Sequence, residues 1–358
     1  MRILFQRLFP KRLHKYWKKV EKIFDKELIL ITDKFISSKS YKHLSNYWHI
    51  LSIDNYEKLR EYGFEKYGSN IATNYFTFKN VSEDMISDAL LDTKPDFASS
   101  KINFSKKQNN FSSSESSSYN YLCAMLYYTL KKSNYFKYLK HLDDESFLGY
   151  DDPYIKIDDY NVSLDKLATL FDIEKIEKAF GTKHKRTILE IGSGSGRTAD
   201  AYLSIYPDNK YIICDIPPAI FISYKRLKAR FPNKKISFCF DGNFEQEFEK
   251  NDITFIFPDQ MSFINKKIDL VLAIDCFHEM DKKTIKFFFE KINNITNNLY
   301  FSIWKKTKVP YSKKLFGKGN ILDYENGDYS IPNNWKNSFK ENLVFPSNQL
   351  GLGFKIEN

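Results

Sequence analysis

A glycine-rich turn is the part of the sequence best suited to chemistry. The run Thr187-Ile-Leu-Glu-Ile-Gly-Ser-Gly-Ser-Gly196 is a short apolar strand followed by glycine at every second position. Glycine lets the backbone turn sharply and approach a ligand closely. Residues 197 to 205 can follow as a helix, and a helix N-terminus attracts anionic groups. The run therefore predicts a cofactor cradle between a buried parallel strand and a helix.

The spacing of the glycines separates the candidate ligands. A dinucleotide-binding loop has the pattern Gly-x-Gly-x-x-Gly, and Arg197 stands where its last glycine would be. A phosphate-binding P-loop would end in Gly-Lys-Ser/Thr, which is absent. The remaining pattern, acidic-x-Gly-x-Gly-x-Gly, resembles the first motif of class I S-adenosylmethionine-dependent methyltransferases. The resemblance implies S-adenosylmethionine as the cofactor, with the glycines under its methionine part and the acidic residue near its charged end. The residues assigned to it are Glu190, Gly192, Ser193, Gly194 and Gly196.

Two aspartates at the ends of predicted strands extend the cofactor prediction. Asp215 lies 19 residues after Gly196, close to the offset of about 20 at which an acidic residue meets a cofactor ribose. Asp241 ends a later strand and is predicted to bind the adenine amino group. Its stretch, Asp-Gly-Asn-Phe, resembles a shuffled form of the Gly-Asp-Met/Phe-Phe stretch of small-molecule O-methyltransferases. Residues 236–240 and 253–257 both have strand patterns, and the sequence does not decide which is the third strand of the sheet.

A histidine follows the most hydrophobic predicted strand, residues 268–274, in the stretch Asp275-Cys-Phe-His-Glu-Met-Asp281. Ligands of open α/β sheets lie at this carboxyl edge. Near neutral pH a histidine can take the proton from a hydroxyl whose oxygen attacks a methyl donor, so His278 is the predicted general base. Glu279 or Asp275 could orient the imidazole or bind a substrate hydroxyl, and the two alternatives stay open. The stretch is similar to the His-Asp-Trp segment of small-molecule O-methyltransferases, with the acid kept and the indole lost.

A narrower resemblance covers about residues 140 to 340 and concerns the bacterial sugar O-methyltransferases. It implies a saccharide hydroxyl as acceptor and a role in surface polysaccharide or glycan assembly. Residues 1 to about 120 lie outside it. The stretches that carry it are Leu189-Glu-Ile-Gly-Ser-Gly-Ser-Gly-Arg-Thr198, Cys214-Asp-Ile-Pro-Pro-Ala219, Cys276-Phe-His-Glu-Met280 and Asp328-Tyr-Ser-Ile-Pro-Asn-Asn-Trp335.

Aromatic residues after the fifth predicted strand are candidates for acceptor binding. Residues 305–335 should overhang the active-site edge, and aromatic rings there could stack on sugar rings. Oxygen ligands at 275, 279 and 281 are compatible with a divalent metal, but no spacing requires one. The predicted substrate-binding residues are Tyr311, Tyr324, Tyr329 and Trp335.

The alternation of strand and helix patterns after residue 181 predicts an α/β fold. We expect a Rossmann-like class I methyltransferase sheet with helices on both faces, preceded by a mainly helical N-terminal region. Helical spacing covers residues 11–35, 45–62, 119–139 and 164–180, and residues 342–356 are predicted to close the sheet as an edge hairpin. The predicted divisions are a basic helical region (1–92), a polar Ser/Asn/Lys-rich loop or linker (93–118), a helical lead or lid region (119–180) and the methyltransferase domain (181–358).

Charge and composition limit the kinds of partner and the cellular compartment that the sequence predicts. The net charge of the 358 residues is +10, and residues 1 to 40 hold most of it, which is compatible with a membrane surface or another anionic partner. No specific nucleic acid is expected. The absence of a signal-peptide core and of an apolar run of about 20 residues predicts a cytoplasmic protein. Four scattered cysteines are predicted to be small core residues rather than disulfides or zinc ligands.

Other functions remain open from the sequence. A nicotinamide oxidoreductase would share the sheet, although Arg197 at the third glycine position counts against it. A nucleic-acid methyltransferase would explain the basic N-terminus, but Pro217-Pro218 follows the second strand, whereas the base-holding Pro-Pro motif belongs after the fourth. A methyltransferase acting on another small molecule, and a non-catalytic scaffold that keeps the fold, are the remaining alternatives.

Overall fold

The computed structural model of the chain describes residues 25–38, 40–64, 81, 85–86, 113–142, 154–240, 242–305, 322–346 and 348–357. The helices within these ranges are α1 (Lys26–Ser38), α2 (Asn46–Tyr62), α3 (Ser113–Leu130), α4 (Leu139–Leu142), α5 (Leu164–Phe180), α6 (Arg197–Ile205), α7 (Ala219–Arg230), α8 (Phe244–Lys250) and α9 (Lys282–Ile295). The strands are β1 (Ile155–Ile157), β2 (Tyr160–Val162), β3 (Thr187–Ile191), β4 (Lys210–Cys214), β5 (Ile236–Phe238), β6 (Ile253–Ile256), β7 (Leu270–Ile274), β8 (Asn298–Trp304), β9 (Trp335–Asn342) and β10 (Gln349–Ile356).

The main sheet has eight strands in the order β5-β6-β4-β3-β7-β8-β10-β9. The strands from β5 to β8 are parallel, and β10 pairs antiparallel with both β8 and β9. Strands β1 and β2 form a separate small hairpin. The predicted α/β fold, with a helical region before the sheet, is confirmed.

The order of the strands creates a switch point beside β3. From β3 the chain moves outward to β4, and it later returns to the other side of β3 as β7. In an open parallel sheet, ligands bind beyond the carboxyl ends of the strands that flank such a point. The glycine turn follows β3 and the histidine stretch follows β7, so both predicted reactive segments lie at this edge.

The core lies on both faces of the sheet because side chains alternate along each strand. In β3, Ile188 belongs to the apolar cluster on one face and Leu189 to the cluster on the other. Both clusters consist of buried residues, which explains why the central strands are mostly apolar, with Glu190 of β3 as an exception. Helix α5 begins and ends as predicted: Ser163 accepts a hydrogen bond from the backbone N–H of Lys166, and Gly181 follows its last turn with a φ of 73°.

Several predicted boundaries differ from the structure. The third strand of the sheet is β6, because it pairs with β4, whereas β5 pairs only with β6 and forms an edge. Helix α3 begins within the serine-rich run that was predicted as loop, and the pattern predicted to continue as one helix to residue 139 breaks after α3. The terminal hairpin is longer than predicted, since its edge strand begins at Trp335. Of the helix predicted over 11–35, residues 11–24 lie outside the described residues.

The described residues also bear on the composition arguments. All four cysteines are buried with free thiols. No helix in the described ranges is long and apolar enough to cross a membrane. The same ranges contain no group of three or more histidine, cysteine, aspartate or glutamate side chains placed to hold a metal ion.

Candidate active site

The glycine turn has three residues in the left-handed conformation, and other side chains pack closely against two of them. Gly192, Gly194 and Gly196 have φ values of 71°, 56° and 78°. A Cβ at Gly192 would lie 2.7 Å from Cβ of Cys276, and one at Gly196 would lie 3.1 Å from Cβ of Ser223. Glycine is therefore required by both the backbone conformation and the available space.

Asp215 is tied to the glycine turn from the neighbouring strand. Its Oδ2 accepts a hydrogen bond from the backbone N–H of Gly194 at 2.9 Å and one from the hydroxyl of Ser193 at 3.3 Å. Its Oδ1 accepts from the backbone N–H of Ile216 at 2.7 Å. Burial nevertheless raises the pKa of Asp215 to about 6. Its predicted role as ribose ligand stays a prediction.

Glu190 lies within the sheet beneath the turn. It is 1% exposed, and its Oε2 accepts a hydrogen bond from the hydroxyl of Tyr211 at 2.8 Å. Burial raises the pKa of Glu190 to about 7. This position supports the strand that carries the turn, and a direct contact with the cofactor stays a prediction.

The histidine stretch opens with a strained residue. Asp275 follows β7 with a φ of 57°, a left-handed conformation that costs a non-glycine residue about 1–2 kcal/mol. Its backbone N–H donates to the hydroxyl oxygen of Ser302 at 2.9 Å. Its Oδ1 accepts from Nε1 of Trp304 at 3.0 Å and from Nε2 of Gln349 at 2.6 Å. Strain that neighbouring hydrogen bonds hold in place is typical of functional positions.

His278 stands beside this carboxylate. Its Nε2 lies 3.5 Å from Oδ1 of Asp275, and the ring centroid is 5.7 Å from that of Trp304. The side chain is 5% exposed, and Nδ1 is buried without a hydrogen-bond partner among the described residues. Burial lowers the pKa of His278 to about 3 and raises that of Asp275 to about 6. A neutral imidazole with a free ring nitrogen thus stands next to a carboxylate.

The two acids that the sequence left as alternatives are separated by the structure. Asp275 is the carboxylate beside the imidazole. Glu279 accepts a hydrogen bond at Oε2 from Nε1 of Trp48, at 2.9 Å, across 231 residues of sequence. Burial and the negative charge of Asp275 raise the pKa of Glu279 well above its usual range.

The aromatic residues predicted to bind the acceptor do not form one group. Trp335 is a core residue at the far edge of the sheet: it pairs with Ile356, and its Nε1 donates to Oδ1 of Asn293 at 2.9 Å. The structure therefore places Trp335 away from His278, because this aromatic residue, predicted in a loop, begins an edge strand. Tyr329 is buried among core residues and its ring packs near Tyr324, which is half-buried. Tyr311 and Asp241 lie outside the described residues.

Sequence reasoning missed a charged cluster around the residue after the last glycine. Arg197 lies 3.3 Å from Oδ1 of Asp165 on α5, and its charge lowers the pKa values of Asp172 and Asp275 against the larger effect of burial. Burial still raises the pKa of Asp172 to about 7. From the sequence, Arg197 was interpreted only as an obstacle to dinucleotide binding. No local pattern indicates that it would pair with Asp165 on α5, a helix that precedes β3.

The buried carboxyls predict a stability that falls as pH rises. The pKa values of Asp172, Glu190, Asp215 and Asp275 are raised by burial to about 6 or 7. The folded state therefore binds their protons more tightly than the unfolded state. This stability is fully present below about pH 4, the range of the unfolded pKa values, and is lost progressively as the pH rises to about 7. Urea unfolding at several pH values measures the effect.

The variant Glu190→Gln isolates one part of this dependence. Glutamine keeps an acceptor for the Tyr211 hydroxyl, and the shift of Glu190 from 4.5 to about 7 corresponds to about 3 kcal/mol. We expect the loss of unfolding free energy between pH 4 and pH 8 to shrink by about that amount. The exposed Glu290→Gln on α9 is the control. Equal pH dependence in wild type and Glu190→Gln would contradict the prediction.

Comparison with known proteins gives distant matches of fold. No protein-family profile and no curated protein matches the chain. A SAM-dependent methyltransferase from Aquifex aeolicus is 18% identical, with a TM-score of 0.35, over 63% of this chain and 100% of that one. The pyocyanin biosynthetic protein PhzM is 12% identical, with a TM-score of 0.35, over 53% of this chain and 56% of its own. The mitomycin 7-O-methyltransferase MmcR is 12% identical, with a TM-score of 0.34, over 54% of this chain and 56% of its own.

The chain has a Rossmann-like α/β fold. Its own sheet shows this, with a glycine turn after the central strand β3 and a reversed hairpin beyond the last parallel strand. The chain spans little more than half the length of PhzM and MmcR. Similarities this distant do not show the activity of this chain, so any inference about its activity must be argued from its own residues.

Proposed function

We propose that this protein is an S-adenosylmethionine-dependent O-methyltransferase that methylates a sugar hydroxyl in surface glycan or polysaccharide assembly. One observation carries the proposal. The two sides of the switch point hold complementary parts: the glycine turn with Asp215 after β3 and β4, and the imidazole of His278 with Asp275 after β7.

The residues at the turn fit the cofactor. The turn has no room for side chains at Gly192 or Gly196, and a carboxylate lies against it from the next strand. When bound, S-adenosylmethionine supplies a methyl group on a positively charged sulfonium. The residues that would hold it are the glycine turn and Asp215, with Glu190 supporting the turn from below.

The protein's own groups provide the proton transfer. His278 is neutral at physiological pH, so a ring nitrogen can accept the proton of an acceptor hydroxyl. Burial lowers its pKa to about 3 and weakens it as a base, so the proton transfer depends on a group that stabilises the charged ring. Its Nδ1 is the nitrogen without a partner in the described part of the chain. The carboxylate of Asp275, 3.5 Å from Nε2, stabilises the imidazolium that results. The walls of this edge would hold the acceptor oxygen in line and exclude water.

The sugar acceptor rests on sequence resemblance. The stretches at 214–219, 276–280 and 328–335 are similar to those of bacterial sugar O-methyltransferases. Carboxyl and indole groups beside the histidine suit an acceptor with several hydroxyls and an apolar ring face. An anionic partner at the basic N-terminus is also proposed from charge alone, since residues 1–24 lie outside the described part of the chain.

Calorimetric titration with S-adenosylhomocysteine tests the cofactor assignment, with NADH as the control ligand. We expect affinity in the micromolar range for S-adenosylhomocysteine and no binding of NADH, because Arg197 occupies the position of the last glycine of a dinucleotide loop. Binding of NADH alone would favour an oxidoreductase. Binding of neither ligand would contradict the proposal and favour a non-catalytic scaffold.

A further inference from the structure

The N-terminal helices cross the active-site edge of the sheet. We call residues 25–38 and 40–64 the N-terminal cap. At its start, Glu27 accepts a hydrogen bond from the hydroxyl of Tyr224 on α7, at 3.0 Å. Further along, the ring of Phe35 packs at 5.4 Å against that of Phe257, which directly follows β6. The cap therefore lies against segments at the carboxyl ends of the parallel strands.

The middle of the cap is fixed by polar contacts to the same edge. Nε2 of His43 lies 2.6 Å from Oδ1 of Asp259, and the hydroxyl of Ser40 accepts from the backbone N–H of Asp259 at 3.2 Å. The ring of His43 stacks on Phe287 of α9 at 3.9 Å. These contacts hold the start of α2 close to the loop that follows β7.

Trp48 connects the cap to Glu279, the residue that follows the candidate base. It lies in the first turn of α2, where the hydroxyl of Ser45 accepts from its backbone N–H at 3.2 Å. Its indole Nε1 donates to Oε2 of Glu279 at 2.9 Å, and Glu279 directly follows His278. No hydrogen bond to Oε1 of Glu279 is seen among the described residues, which leaves that oxygen available to a ligand.

Two indoles from different parts of the chain therefore donate hydrogen bonds to carboxyl groups of the histidine stretch. Trp304 donates to Asp275 at 3.0 Å, and Trp48 donates to Glu279 at 2.9 Å. Trp48 is only half-buried, so part of its ring is open to contact. An aromatic face beside a carboxyl group is suited to a sugar, which presents C–H groups on one face and hydroxyls at its rim.

We propose that the N-terminal cap forms one wall of the acceptor site, in which Trp48 contacts the acceptor ring and Glu279 hydrogen-bonds an acceptor hydroxyl. This inference rests on the proposed function. It assigns acceptor choice to residues 25–64, which lie outside the stretches that resemble sugar O-methyltransferases.

The test compares Trp48→Phe and Glu279→Gln with Trp335→Phe as the matched control. Trp335 also donates its indole N–H to a side chain, at 2.9 Å from Oδ1 of Asn293, but at the far edge of the sheet. The acceptor probes are the methyl pyranosides of glucose, galactose and mannose, with saturating S-adenosylmethionine. Production of S-adenosylhomocysteine gives kcat and KM, and calorimetry gives affinity for S-adenosylhomocysteine.

We expect Trp48→Phe and Glu279→Gln each to raise the acceptor KM about tenfold. Phenylalanine presents a smaller ring to the acceptor, and glutamine puts an amide N–H₂, which cannot accept a hydrogen bond, in place of the oxygen not used by Trp48. Affinity for S-adenosylhomocysteine and kcat should change less than about threefold, because neither residue touches the glycine turn or the proton-accepting nitrogen. Trp335→Phe should leave the acceptor KM unchanged.

Three results would overturn the inference. The first is an unchanged acceptor KM in both variants. The second is a loss of S-adenosylhomocysteine affinity in Trp48→Phe and Glu279→Gln, which would make the contact structural. The third is S-adenosylhomocysteine binding without turnover of any pyranoside, which would remove the sugar acceptor and leave the methyltransferase assignment intact. Failure of wild type to bind S-adenosylhomocysteine would instead contradict the proposed function itself.

Discussion

Replacing His278 by alanine is expected to lower kcat for methyl transfer by about 10²- to 10⁴-fold, the usual contribution of a general base. Affinity for S-adenosylhomocysteine should stay within about twofold, because the imidazole lies beside Asp275, after β7, and not against the glycine turn after β3. Steady-state assays on an accepted pyranoside and calorimetry with S-adenosylhomocysteine measure the two quantities separately.

The size of this effect follows from the surroundings of the ring. His278 is buried and neutral, and its Nδ1 has no partner among the described residues. A buried polar atom without a partner costs free energy, so it persists where function requires it. Asp275, held by Trp304 and Gln349, can stabilise the protonated ring but cannot replace it.

The control for this substitution is His184→Ala. His184 is exposed, and its ring packs at 5.4 Å from Tyr206 near the amino ends of the strands. It should keep wild-type turnover. Undiminished turnover in His278→Ala, or lost affinity for S-adenosylhomocysteine, would count against the general-base assignment.

The sequence predicted the parts of the fold that local pattern determines. Strands β3, β4 and β8, helix α6 and the cap of α5 at Ser163 follow from apolar runs, glycine and capping residues. The neighbours of each strand do not follow from local pattern. Residues 236–240 and 253–257 have the same composition of strand formers, and only their pairing shows that β6 is internal and β5 an edge.

The residues of the candidate site also fall into those that local sequence pattern predicted and those that it did not. The glycine turn, Asp215 and the 275–279 stretch were predicted from residue type and position after a strand. Trp48 was not, because its partner Glu279 is 231 residues away. Trp304 could have been found, since it ends the parallel strand β8 at the same edge. Trp335 was predicted in a loop and begins β9 instead, because a chain with 32 phenylalanines and 24 tyrosines places aromatic residues in core and loop alike.

Gly192→Ala is expected to damage both sides of the site at once. The new Cβ would lie 2.7 Å from Cβ and 3.0 Å from Sγ of Cys276, so the turn and the loop after β7 must move apart. With a φ of 71°, the left-handed backbone adds about 1–2 kcal/mol to an overpacking cost of about 1–3 kcal/mol. We expect a loss of stability of about 2–5 kcal/mol and at least about a tenfold loss of S-adenosylhomocysteine affinity, measured by urea unfolding and calorimetry.

Gly327→Ala separates the two causes, because Gly327 has a φ of 70° and a Cβ added there would meet no described atom within 4 Å beyond its chain neighbours. It should lose only the backbone contribution, about 1–2 kcal/mol, and keep its affinity for S-adenosylhomocysteine.

Adding Cys276→Gly to Gly192→Ala removes both contacting atoms and should restore part of the affinity, whereas Cys276→Ala keeps the Cβ and should not. Equal losses in Gly192→Ala and Gly327→Ala would show that the backbone conformation alone, and not the contact between the two halves of the site, makes glycine necessary at 192.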